Sequence, residues 1–182
     1  MDLKGEIFML EKVKSNFNTI VFVLSIVAIA LLTPFLFSSF FADFTETNIM
    51  NIIYYALLIA ANVFLLIYGV KKDKANKSWF LTGFILFFAS LAFYNCYTLI
   101  KSELYENILY IALYVAIIIL AILSLKKKSK VFYAFQILLS IVCAMNLTRL
   151  FIGSYYNTSV FITSSIFMVE TFLRTSKEEE EE

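Results

Sequence analysis

Residues 19–41 read TIVFVLSIVAIALLTPFLFSSFF, an unbroken apolar run that holds no charge. About 20 residues of helix cross the hydrocarbon of a bilayer, so this stretch alone is long enough to span. It is also too long for the apolar region of a cleavable leader. Acidic residues precede it and no small-residue cleavage site follows, so a signal peptide is not expected.

Working outward, the chain repeats the pattern. Apolar stretches run over roughly 18–41, 48–70, 79–100, 105–125, 131–152 and 158–174. The sixth is shorter and interrupted by Ser159, Thr163, Ser164, Ser165, Glu170 and Thr171. Ahead of the first, residues 1–17 place Leu3, Ile7, Leu10, Val13 and Phe17 at helical spacing among charged positions, the pattern of an interfacial amphipathic helix. Residues 175–182 end in an acidic run, Glu178–Glu182, expected to be solvated and irregular. The predicted fold is therefore all-α: a polytopic membrane bundle of six transmembrane helices over 18–174, with the interfacial helix before it and the acidic tail after it.

Composition agrees. Of 182 residues, 61% are hydrophobic and 16% charged, with a mean hydropathy of +0.83. Water-soluble domains carry closer to half apolar and a quarter charged residues, so lipid is the expected solvent for most of this chain. Lys outnumbers Arg by 13 to 2, and Ile, Phe, Asn and Tyr are plentiful. That bias resembles translation of an AT-rich genome, and the 18% aromatic content is discounted as a functional signal on that ground.

Orientation follows from the basic residues, which favour the cytoplasmic side of short loops. With the N-terminus inside, Lys4, Lys12, Lys14, the loop of Lys71, Lys72, Lys74 and Lys77, the loop of Lys126–Lys128 and Lys130, and Arg174 and Lys177 all fall inside. Those are 13 of the 15 basic residues; Lys101 and Arg149 remain outside. Both termini are expected in the cytoplasm and the host in the cell membrane.

An internal repeat is predicted. At an offset of 56, Asn51, Ile52, Tyr54, Ala56, Leu57 and Ala60 recur as Asn107, Ile108, Tyr110, Ala112, Leu113 and Ala116. After a shorter basic loop the offset becomes 51, matching Phe84 to Phe135 and Asn95 to Asn146. The hairpin over 48–100 would thus be duplicated over 104–152.

Polar groups within spans are the candidates for function, because hydrocarbon offers them no partner. Ser159, Thr163, Glu170 and Arg174 share one face of the sixth span and form a candidate ion path, with Glu170 as the titrating or coordinating group. The plainer reading is favoured: Glu170 near the cytoplasmic rim pairs with Arg174 at i+4, and the hydroxyls serve helix packing. Arg149 and Asn146 share a face near the outer end of the fifth span, and Asn95 of the third lies at the same depth. Together they form a candidate site for an anionic headgroup or solute. Here too the plainer reading is favoured, an Arg snorkelling to phosphate and two Asn bonding to neighbouring helices. Asn62 and Gln136 are expected to bond between helices.

Enzyme chemistry is disfavoured. The chain has no His, which removes His-based triads. No pair of intramembrane aspartates and no Gly-rich phosphate loop appear. The two cysteines, Cys96 and Cys143, suggest neither a disulfide framework nor a zinc site. No cofactor is expected, and the scattered lysines form no nucleic-acid face. Four glycines and one proline also disfavour a carrier built on broken helices. Two function classes remain. One is a non-enzymatic membrane-embedded partner or accessory subunit, contacting lipids and a membrane protein or its own copies. The other is a small channel or transporter using the sixth-span stripe.

Overall fold

The computed structural model describes residues 3–70, 76–103, 105–124, 130–151 and 155–180. Side chains are described over 16–70, 78–103, 105–123, 132–148 and 157–173 and at Phe151. The lysines of loops 71–75 and 125–129 lie outside the described residues, as do the side chains of Arg149 and Arg174.

Six helices account for the fold: α1 (Leu3–Phe41), α2 (Glu46–Val70), α3 (Asn76–Ser102), α4 (Glu106–Ser124), α5 (Lys130–Leu150) and α6 (Tyr155–Glu180). Among the described residues there is no strand. Four stretches, Asn16–Phe41, Glu46–Val70, Ser78–Ser102 and Glu106–Leu123, are long and apolar enough to cross a membrane. α5 is apolar over the shorter Phe132–Thr148. Two boundaries differ from expectation. α1 is one helix of 39 residues, so the segment expected to lie apart as residues 1–17 continues without a break into the first apolar run. At the other end α6 continues to Glu180, through residues expected to be irregular; Lys and Glu are good helix formers.

The helix ends are specified locally. Thr45 caps α2, its Oγ1 accepting from Asn48 N at 3.3 Å, and Glu46 follows in the first turn, where the helix dipole favours an acid. α3 closes on Glu103, whose φ of 52° is the left-handed conformation common at helix C-termini. At this end of the bundle Lys101 of α3 reaches Glu46 of α2 at 3.1 Å, and Tyr97 donates to Thr47 Oγ1 at 3.0 Å. The Lys101–Glu46 pair is exposed and adds little stability.

Each helix packs on its neighbours in sequence, and α6 returns to pack on α1, which closes the bundle into a ring. The ring is filled, not hollow. Phe167 of α6 reaches across to α3, its ring 5.3 Å from Phe80, 5.0 Å from Phe84 and 5.5 Å from Phe87. Phe135 of α5 meets Phe84 edge-on at 5.6 Å, and Tyr114 of α4 lies 6.0 Å from Phe88. These tilted and edge-to-face contacts are the preferred geometry for aromatic pairs. Glycines let backbones close in on the other side of α2. A Cβ on Gly69 would lie 3.0 Å from the Asn18 carbonyl oxygen of α1, and one on Gly83 3.0 Å from the Ala61 carbonyl oxygen.

Some buried positions recur at the offsets of the expected repeat, whereas Tyr54, Asn62, Phe87 and Ser90 are buried and their counterparts Tyr110, Ile118, Leu138 and Ile141 are not. Leu58, Ala61 and Leu65 of α2 are buried, and so are Tyr114, Ile117 and Ala121 of α4, 56 residues on. Phe84, Phe88, Leu91 and Asn95 of α3 likewise answer to Phe135, Leu139, Val142 and Asn146 of α5 at an offset of 51.

Candidate functional site

On α6, Ser159, Thr163 and Glu170 turn inward, onto a seam where α6 meets α1 and α2. Ser159, 1% exposed, donates to the Ala28 carbonyl of α1 at 3.1 Å. One turn on, the Thr163 hydroxyl lies 3.0 Å from Asn62 Oδ1 of α2 and 2.8 Å from the carbonyl of Ser159. The Asn62 amide spends its Nδ2 on the Leu58 carbonyl at 2.9 Å. Two turns further, the Tyr68 hydroxyl of α2 donates to the Glu170 carboxylate. Three levels of hydrogen bonding thus tie α6 to its neighbours along one line.

These residues meet because two helical spacings run in register. Ser159, Thr163 and Glu170 fall on one side of α6. On α2 the buried face is Tyr54, Leu58, Ala61, Asn62, Leu65 and Tyr68. Asn62 and Tyr68 are separated by six residues, and Thr163 and Glu170 by seven. Parallel helices, their numbers rising together, therefore present the two polar pairs at matching heights, about 9–10 Å apart along the axis. The interhelical role expected for Asn62 is what the structure shows.

Glu170 departs from expectation. The sequence places it near a rim, in reach of Arg174 and water; in the structure it is 4% exposed and faces Tyr68. The reason is ring closure, which seats the end of α2 against the last turns of α6 and covers a carboxylate that an isolated helix would expose. Arg174 has its side chain outside the described residues. Tyr68 is the residue that sequence reasoning missed. Its signal was available, since it continues the buried spacing that holds Asn62.

Along the same seam, the side chain of Ser25 is 0% exposed on the face of α1 that carries Ala28, and its Oγ has no partner among the described residues. Asn18 Oδ1, near the approach of α1 to Gly69, is likewise buried without one.

The second candidate group is not assembled by the described side chains. Asn95 is 8% exposed and returns its Nδ2 to the Leu91 carbonyl of its own helix at 2.7 Å. Asn146 is 2% exposed, with Nδ2 unpartnered among the described residues. No hydrogen bond joins the two, and they sit on helices that are not neighbours in the ring. Arg149, the third member, has its side chain outside the described residues.

Elsewhere, Cys143 lies 3.5 Å from the Ser165 hydroxyl, and both cysteines are free thiols. Among the described residues no cluster of His, Cys, Asp or Glu is placed to hold a metal ion. The hydroxyls of Ser159, Thr163, Ser164 and Thr171 on α6 each lie against a backbone carbonyl, and that of Thr163 also against Asn62. No known family model matches the chain, and neither a curated protein nor a solved structure resembles it.

Proposed function

We propose that the chain is an integral protein of the cell membrane, with six spans and both termini in the cytoplasm. In this reading it acts without catalysis, as a membrane-embedded partner or accessory subunit. One observation carries it: the division between the inside and the outside of the ring. Inside, the hydroxyls and amide of the stripe bond to protein groups, and the centre is packed with aromatic rings. Outside, Ile20, Val23, Ile26, Phe40, Leu109, Ile119 and Phe151 stand exposed, a surface that water would not tolerate and that lipid or another membrane helix would cover. The 13-to-2 division of basic residues supports the orientation. The buried positions repeating at offsets of 56 and 51 support a duplicated hairpin.

A second reading, transport of a cation or proton along the seam, is favoured by one specific feature. Glu170 is a buried carboxylate, and Ser25 Oγ and Asn18 Oδ1 on the facing helix lack partners among the described residues. Reconstitution separates the two. In proteoliposomes under a sodium, potassium or proton gradient, the accessory reading predicts no flux above protein-free vesicles. It also predicts a partner at constant stoichiometry when the protein is extracted from its own membrane in mild detergent. Flux that Glu170→Gln abolishes, with no partner retained, would make the transport reading the correct one.

A further inference from the structure

We infer that the seam between α1, α2 and α6 binds one sodium-sized monovalent cation, held at the level of Ser25, Asn62 and Thr163. The inference rests on the cation reading of the seam given above and deepens it. It needs no flux, because a bound ion ties the three helices together whether or not it crosses.

Helix register brings the three residues to one height. α2 and α6 run parallel, and α1 turns back into α2 over residues 42–45, so α1 and α6 are antiparallel. The bond from Ser159 to the Ala28 carbonyl fixes their register: Thr163 stands opposite position 24 of α1 and Glu170 opposite position 17. Ser25 and Asn18 each fall within one residue of those heights, about 1.5 Å. Seven residues apart, they share a face of α1. They are also the α1 residues with a side-chain oxygen buried without a partner among the described residues. At the upper level α1, α2 and α6 thus bring one oxygen-bearing side chain each, Ser25, Asn62 and Thr163.

Counting protons at this level leaves oxygen lone pairs unspent. The Thr163 hydroxyl has one proton and faces two acceptors, the Ser159 carbonyl at 2.8 Å and Asn62 Oδ1 at 3.0 Å. Ser159 gives its own proton to the Ala28 carbonyl, and the Asn62 amide donates to the Leu58 carbonyl. Ser25 Oγ, on a side chain that is 0% exposed, lies farther than a hydrogen bond from all of them. Oxygens on opposite sides of a calcium- or sodium-sized ion stand about 5 Å apart. Hard cations take hydroxyl, amide and carbonyl oxygens and need no cluster of His, Cys or acids. Water would serve the same acceptors, but charge selects the cation. Glu170 is the one buried charged residue among the described residues, and it is an acid. It lies seven residues below Thr163, about 10 Å along the axis, within reach of its field in a medium of low dielectric. Oxygen separations of 2.8 and 3.0 Å suit an ion of sodium size and crowd one of potassium size.

The test is thermal unfolding of the full chain in mild detergent, in sodium, potassium and choline chloride at equal ionic strength. Saturating sodium should raise the melting temperature by about 5 °C over choline, and potassium should do much less. Ser25→Ala has no hydrogen bond to lose, so in choline it should melt no lower than the parent. It should nevertheless lose most of the rise with sodium. Ser164→Ala removes a buried hydroxyl that bonds within α6 to the Phe161 carbonyl, and it should keep that rise. Equal midpoints in the three salts would overturn the inference and leave water as the occupant. A sodium rise that survives Ser25→Ala would also overturn it, by placing the ion elsewhere. Equal rises with sodium and potassium would do the same for an ion of this size. Failure of the transport reading looks different: a sodium rise lost in Ser25→Ala, with no flux in proteoliposomes, leaves the site standing as a structural one.

Discussion

Phe167→Ala is expected to destabilise the protein by about 3 kcal/mol, more than truncation of any other α6 side chain. Phe167 is 0% exposed and its ring contacts Phe80, Phe84 and Phe87 of α3 across the centre of the ring. Deleting it leaves a cavity that the surrounding helices cannot collapse, because each is held by neighbours on both sides. In a bilayer the transfer part of the cost is small, since lipid is as apolar as the core, and the cavity and lost dispersion contacts dominate. Thermal unfolding in mild detergent measures the effect, with Phe172→Ala as the control. Phe172 is 46% exposed on the same helix, and its truncation should cost about 0.5 kcal/mol or less. Equal losses for the two variants would mean that α6 does not insert its aromatic face between the other helices.

Gly83→Leu is the second large effect, through the opposite mechanism. Even a Cβ at Gly83 would come within 3.0 Å of the Ala61 carbonyl oxygen and 3.2 Å of Phe64 Cβ. Three more carbons cannot enter without separating α2 from α3, and overpacking of this kind costs about 1–3 kcal/mol even after the gain in helix propensity. The shift would be transmitted along α2, which carries both Asn62 and Tyr68. Gly83→Leu should therefore lower the melting temperature and also abolish the contribution of Tyr68: Tyr68→Phe, destabilising alone, should add little on top of it. Full additivity of the pair would show that the α2–α3 crossing and the α2–α6 bonds are independent.

The helices themselves were legible. The expected stretches 48–70, 79–100, 105–125 and 131–152 fall within a few residues of α2 to α5, because a long apolar run bounded by charges has few alternatives, whereas α1 begins well before residue 18 and α6 runs past residue 174. The interhelical role of Asn62 was legible for the same kind of reason: an amide in the middle of a span must find a protein partner. The aromatic core was underread. Phe80, Phe84, Phe87 and Phe88 stand at i, i+4, i+7 and i+8, the stripe of a buried face, but in a chain with 18% aromatic residues such a stripe is hard to tell from compositional bias. The environment of Glu170 could not be read from its own helix. It depends on α6 closing the ring against α1 and α2, a long-range contact that helical periodicity does not encode. Asn95 and Asn146 show the converse. Depth counting gives both a common height, but α3 and α5 meet through Phe84 and Phe135, and a shared height does not bring the two amides together.

Residue-by-residue accessibility distinguishes the proposed six-span bundle, with both termini in the cytoplasm, from every other threading of the chain. In a background of Cys96→Ala and Cys143→Ala, single cysteines are placed at Asp43, Lys74, Ser129 and Ser154 and exposed to a membrane-impermeant maleimide. In intact cells, Asp43→Cys and Ser154→Cys should label, whereas Lys74→Cys and Ser129→Cys should label only after permeabilisation. Labelling of Lys74→Cys in intact cells, or equal labelling of all four before permeabilisation, would rule this topology out.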